Sequence, residues 1–123
     1  MKQNFDNLYE IDHDYDNESI QNKYYESSLE YLKKFNKNIP YYVILNYKAC
    51  MIKINFGQDS KYYKHLTECT SFNKNLVDFF INNPICSIEV KETYSKELSC
   101  CLKDVWINEI YFPCEYRKYL GVK

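Results

Sequence analysis

Glycine and proline are almost missing from this chain, which has two of the first and three of the second among 123 residues. Tight-turned β-sandwiches and glycine-rich nucleotide cradles need many more of both. The shortage therefore predicts helices joined by short polar loops. Arginine is rarer still: Arg117 stands alone beside fifteen lysines. That ratio, with abundant Asn, Ile and Tyr, has the look of A/T-rich coding, so the lysine count carries no functional weight. Phosphate cradles, nucleophile elbows, zinc-protease helices and dinucleotide fingerprints are all absent. No apolar run approaches the ~20 residues that span a bilayer, the longest lying around Tyr41–Leu45. The first twenty residues are polar and acidic, not basic and then apolar, so no secretory signal is expected.

Apolar material is plentiful, at 46% of residues, with fourteen Tyr, seven Phe and one Trp. That suffices for one packed interior, and residues 1–123 are expected to form a single domain with 1–17 as an acidic lead-in. Six cysteines lie at 50, 69, 86, 100, 101 and 114. Two are adjacent and each sits in or beside an apolar segment, where a free thiol behaves as a small hydrophobe. They are expected to be reduced, in a cytoplasmic protein.

Charge is unevenly spread. Residues 1–30 hold eight carboxylates against Lys2 and Lys23, a net of −6, and the remainder carries +5. Along the chain, Ile20, Tyr24, Ser28, Tyr31 and Phe35 step at helical spacing and predict a helix from Glu18 to Lys37. Pro40 opens Tyr41–Phe56, where Leu45, Ala49, Ile52 and Phe56 fit a helical stripe but Ile52–Phe56 alternates as a strand does; a nearly fully buried helix is the preferred reading. A third helix begins at Ser60, breaks at Thr70-Ser71 and resumes over Asn73–Asn82. Ile85–Lys91 fits a short strand. Leu98, Cys101, Leu102, Val105, Trp106 and Ile110 predict a last long helix over Ser95–Phe112, followed by a short turn at Glu115–Leu120. The fold expected is mostly α, a bundle of four to five helices, all-alpha but for a minor two-stranded element; the alternative is α+β.

Candidate sites are few. Asp12-His13-Asp14-Tyr15-Asp16-Asn17-Glu18 resembles the start of a calcium loop, but Asn17 stands where the turn needs glycine and Lys23 where it needs a bidentate Glu. His65 and Cys69, four apart, lack the further ligands of a zinc site. No cysteine stands among basic groups at a helix start, so a reactive thiolate is not expected. Lys61, Lys64 and Lys74 with Tyr62 and Tyr63 come closest to a nucleic-acid surface, without the clustering one needs. No catalytic residue, metal, cofactor, direct nucleic-acid contact or membrane contact is expected. The surface that remains is acidic and aromatic: Asp12, Asp14, Asp16 and Glu18, with Tyr9, Tyr15 and Tyr25 in or next to the stretch. Rings among carboxylates anchor basic protein partners.

In size, charge and lack of chemistry the chain resembles the immunity proteins of bacterial toxin systems, including those of contact-dependent growth inhibition. The resemblance is one of character over the whole chain and rests on no motif. It implies a non-catalytic module that binds one cognate toxin, commonly a basic nuclease, and blocks its active site through the acidic face. Two alternatives are a viral or host-interaction helical domain that takes a partner helix in a groove, and a small enzyme with a Cys or His site not legible in sequence.

Overall fold

The computed structural model describes residues 18–120. Four helices come first, α1 (Glu18–Lys33), α2 (Tyr41–Phe56), α3 (Lys61–Thr67) and α4 (Lys74–Asn82). Three antiparallel strands follow, β1 (Ile88–Ser95), β2 (Cys100–Ile107) and β3 (Ile110–Phe112), in that spatial order, and a 3₁₀ turn spans Glu115–Leu120. The fold is α+β. This overturns the all-alpha bundle and supports the alternative.

The preference for a helix over Tyr41–Phe56 is borne out, and α2 is the centre of the molecule. Five successive residues, Tyr42 to Asn46, are buried, as are Lys48, Ala49, Cys50 and Ile52. Burial on every side explains why no clean stripe marks this helix in the sequence. Gly57 stops it at φ 91°, a conformation that costs glycine nothing. Helix α1 brings Ser28 and Leu32 against α2, with Tyr24 and Tyr31 half-covered, as its spacing predicted, but it ends at Lys33 and not at Lys37, so Phe35 packs from the turn that follows. Helices α3 and α4 start at Ser60 and Asn73, whose side chains accept from the amides of Tyr63 and Leu76. The sheet closes the core with Ile88, Val105 and Ile107, and Phe112 meets Phe79 edge-on at 5.3 Å.

The long helix expected over Ser95–Phe112 is instead the last residue of β1, all of β2 and all of β3. Apolar residues at helical spacing mimicked an amphipathic stripe there because β2 is buried on both faces. Val105 and Ile107 face the helices. Leu102, on the opposite parity, is 1% exposed yet lies outside the main core, beside the buried Asp104. A strand covered on both sides has no polar alternation to reveal it. The turns were hidden too. Asn108 and Glu109 link β2 to β3 with φ of 53° and 71°, the paired left-handed conformation of a type I′ hairpin, and Ser99 takes φ 53° in the preceding turn. Asn108 offsets that strain through its side chain, which accepts from the amides of Cys86 and Ser87 and donates to the Pro84 carbonyl. Scarcity of glycine therefore did not exclude hairpins.

Two polar side chains of α2 fix its neighbours. The Tyr42 hydroxyl lies 3.0 Å from the Phe112 carbonyl and 3.2 Å from that of Lys103, donating its proton between them where β3 ends. Fully buried Asn46 donates to the Tyr42 and Ser71 carbonyls and accepts from the Asn73 amide at 2.7 Å. It thus ties the α3–α4 loop to the core. Asn46→Ala deprives the part-buried Ser71 carbonyl and Asn73 amide of their side-chain partner. We expect a loss of about 2 kcal/mol in urea unfolding, from two part-buried groups left unsatisfied at the low end of about 1–3 kcal/mol each; a loss under about 1 kcal/mol would show that the loop holds without it.

Candidate functional site

Of the acidic and aromatic residues singled out in the sequence, Tyr9, Asp12, Asp14, Tyr15 and Asp16 lie outside the described residues. Glu18 opens α1. Tyr25, two turns on, is half-buried, with its ring 6.4 Å from that of Tyr41 at the start of α2. This contact joins the beginning of α1 to the most aromatic part of the described surface.

That surface is a cleft of about 230 Å³ with three walls. Pro40 precedes α2 in an extended conformation, and its carbonyl accepts from the amides of Val43 and Ile44 in the first helical turn. Tyr42 turns inward to its carbonyl partners, so Tyr41 points outward and is 55% exposed. Cys101 and Lys103 of β2 form the second wall, and Cys114, Glu115 and Tyr116 of the C-terminal segment form the third. Exposed Tyr94 pairs with Cys101 across the hairpin, and the rings of Tyr116 and Tyr119 stand 6.1 Å apart. The cleft is smaller than the ~300 Å³ at which small-molecule pockets begin. Its tyrosine rim suits side chains of another protein, since such rings offer large contact area at little entropic cost.

The third wall is held by one ion pair. Asp104 is 4% exposed; its carboxylate accepts from the Cys114 amide at 2.8 Å and from Arg117, whose Nε lies 2.9 Å from both oxygens and whose Nη2 also reaches Oδ2. Burial works to raise the Asp104 pKa, but the Arg117 hydrogen bond, the Cys114 amide and the guanidinium charge together bring it below the usual carboxylate range. The same contact pushes the Arg117 pKa up. Sequence reasoning missed this pair because Asp104 had been placed on a helix. The available signal was the lone arginine, the side chain suited to a planar two-point grip on a carboxylate.

Lys48 lies near the Tyr25–Tyr41 contact. Its stem is buried in α2 and its amine stands 5.9 Å from the Tyr25 ring centre and 5.7 Å from that of Tyr62. Burial lowers its pKa, with Cys69 acting weakly in the opposite sense. Aromatic faces replace a carboxylate there. The Tyr62 hydroxyl is buried and finds no hydrogen-bond partner among the described residues. All six cysteines are free thiols, and Cys50, buried in α2, is pushed up to about 11 by that burial, which suits packing and opposes nucleophilic use. Cys100 and Cys101, expected mid-helix, open strand β2 instead.

His65 and Cys69 do not come together as a site. Helix α3 ends at Thr67; His65 is exposed beside Gln21, Lys61 and Tyr62, whereas Cys69 lies towards Tyr41 and Lys48. Among the described residues no three His, Cys, Asp or Glu side chains gather as a metal requires. Of the lysines near Tyr62 and Tyr63, Lys64 and Lys74 line one depression with Lys53, and Asp78 pairs with both Lys53 and Lys74. Lys61 stands apart from them. Among the described residues no helix is long and apolar enough to cross a membrane. Compared with family models, with curated proteins and with solved structures, the chain shows no match.

The Asp104 clamp has a defined pH signature. A carboxyl whose folded pKa lies below its unfolded value of about 3.9 adds stability that is present above that value and fades as pH falls through the folded one. Asp104→Asn should cost about 2 kcal/mol at neutral pH, the scale of a hydrogen-bonded charge. Urea unfolding of both proteins at stepped pH should show the gap closing below about pH 4. A gap independent of pH would mean that the carboxylate charge contributes nothing.

Proposed function

We propose that this chain is a non-catalytic, cytoplasmic protein-binding module, an immunity protein that neutralises one cognate toxin by covering the active site of a basic nuclease domain. The observation that carries this reading is the separation of charge: −6 over residues 1–30 against +5 over the rest. A carboxylate-rich stretch competes for the same basic cleft that binds a nucleic-acid backbone, and it speeds encounter with that cleft. Asp12, Asp14, Asp16 and Glu18 supply the charge, and Tyr9, Tyr15 and Tyr25 the anchoring rings.

Support from the folded part is geometric. The Tyr25 ring stands 6.4 Å from that of Tyr41, on the rim of the cleft. A partner that takes the Tyr25 ring has Tyr41 and Tyr116 available on the same cleft. Such pairing of a charged rim with aromatic anchors is how small interfaces reach high affinity. The buried, high-pKa Cys50 and the separation of His65 from Cys69 give a thiol mechanism no support.

The test begins with affinity capture from lysate of the native organism at low and at high salt, followed by mass spectrometry. One stoichiometric basic partner, retained at low salt and weakened at high salt, is expected. Replacing Asp12, Asp14 and Asp16 together by alanine should then reduce affinity about tenfold or more, chiefly through slower association, with urea unfolding unchanged. Undiminished binding by that triple variant would remove the acidic stretch from the interface and with it this reading.

A further inference from the structure

Strand β1 is an edge of the sheet, eight residues long, and its hydrogen-bonding parity is fixed. The Asn108 amide donates to the Ser87 carbonyl at 2.9 Å, and the β1–β2 register pairs Ile88 with Ile107 through to Ser95 with Cys100. Residues 89, 91, 93 and 95 therefore bond to β2, and Ile88, Val90, Glu92 and Tyr94 direct their amides and carbonyls away from the sheet. The Asn36 side chain takes the Ile88 carbonyl at 3.3 Å. From Val90 to Tyr94 no partner strand lies alongside among the described residues.

The charges along this edge sort into two kinds. Glu92 has partners within the chain, Lys103 at 3.7 Å and the Asn38 amide. Glu89 and Lys91, both exposed, have no ion pair among the described residues, and both face away from the helices with Trp106 and Asp104. Lone charges on an open edge normally deter pairing. Here their spacing does the opposite in one register.

We propose that β1 is the surface through which two copies of this chain associate, edge to edge and antiparallel about Val90, so that their sheets join. A two-fold axis normal to the sheet keeps like faces together, so residues of equal parity must meet. Centring on Lys91 or Glu92 sets like charges face to face. Centring on Val90 sets Glu89 of each copy opposite Lys91 of the other, in the closely spaced non-hydrogen-bonded position. The Val90 amides and carbonyls then bond reciprocally across the axis, and each Ile88 amide reaches the Glu92 carbonyl of the second copy. Contact along one short strand is small, so the dimer is concentration-dependent. The proposal is independent of the toxin-binding reading, because β1 takes no part in the acidic stretch.

Sedimentation velocity from micromolar to near-millimolar protein is the experiment. The native chain is expected to shift from monomer to dimer. Glu89→Lys and Lys91→Glu, each alone, place like charges together and should weaken self-association about tenfold or more. Mixing those two variants restores both opposite-charge pairs and should restore the dimer. Val90→Pro removes an amide that has no partner among the described residues, so it should abolish the dimer while the monomer still unfolds cooperatively in urea, less stable only by the lost packing of the partly buried Val90 side chain. A chain that stays monomeric throughout overturns the proposal, as does a dimer indifferent to Val90→Pro or to the charge exchange. Should Val90→Pro fail to fold, the mixed charge variants decide alone.

Discussion

Helix α2 has almost no wet side, and the rest of the architecture answers that constraint. A sixteen-residue helix with nine buried residues cannot be covered by one neighbour, because a single packing partner shields only a stripe. Helix α1 takes one flank, α3 and α4 take another, and the sheet closes over Tyr42 and the residues around it. The amount of apolar surface on α2 thus sets the number of elements around it, and their order follows from short connections. Burial of this extent drives collapse but does not by itself choose among orientations, since dispersion and hydrophobic contact are nearly non-directional.

Direction comes from three polar side chains on the same helix. Tyr42 finds the sheet, Asn46 one turn later finds the α3–α4 loop, and Lys48 reaches the Tyr25 and Tyr62 rings. Each would be costly in a core if left alone, and each is met by a group that only the native arrangement supplies. The cleft at the N-terminal end of α2 is a by-product of the same logic: with Tyr42 committed inward, Tyr41 has to face out.

How much of this was legible follows from which signals survive burial. Helix α1 was readable because Ser28 and Leu32 are covered and Lys33 and Glu30 are not. Pro40 and Gly57 bounded α2, and Ser60 and Asn73 marked the starts of α3 and α4 through their capping chemistry. Strand β2 was not readable. Leu102 and Asp104 are covered from the side opposite Val105 and Ile107, so the period-two signal vanished. Its hairpin turn uses Asn108-Glu109 where the recognisable pair is Asn-Gly. The Tyr25–Tyr41 contact joins a residue picked out for its place beside the acidic stretch to one that had no distinguishing pattern. The Asp104–Arg117 pair spans thirteen residues and two elements and leaves no local trace.

That pair also gives the molecule an order of assembly. The core of four helices and the β1–β2 hairpin draw on residues up to Ile107, which leave the ribosome first, and most of their contacts are between elements adjacent along the chain. The third wall of the cleft waits for Arg117. During synthesis the domain can therefore acquire its interior before it acquires its cleft, so chains cut short before Arg117 would be built around the same core but with an open face. Closure of the cleft then reports that synthesis has passed the sole arginine, which lies ten residues beyond the end of β2.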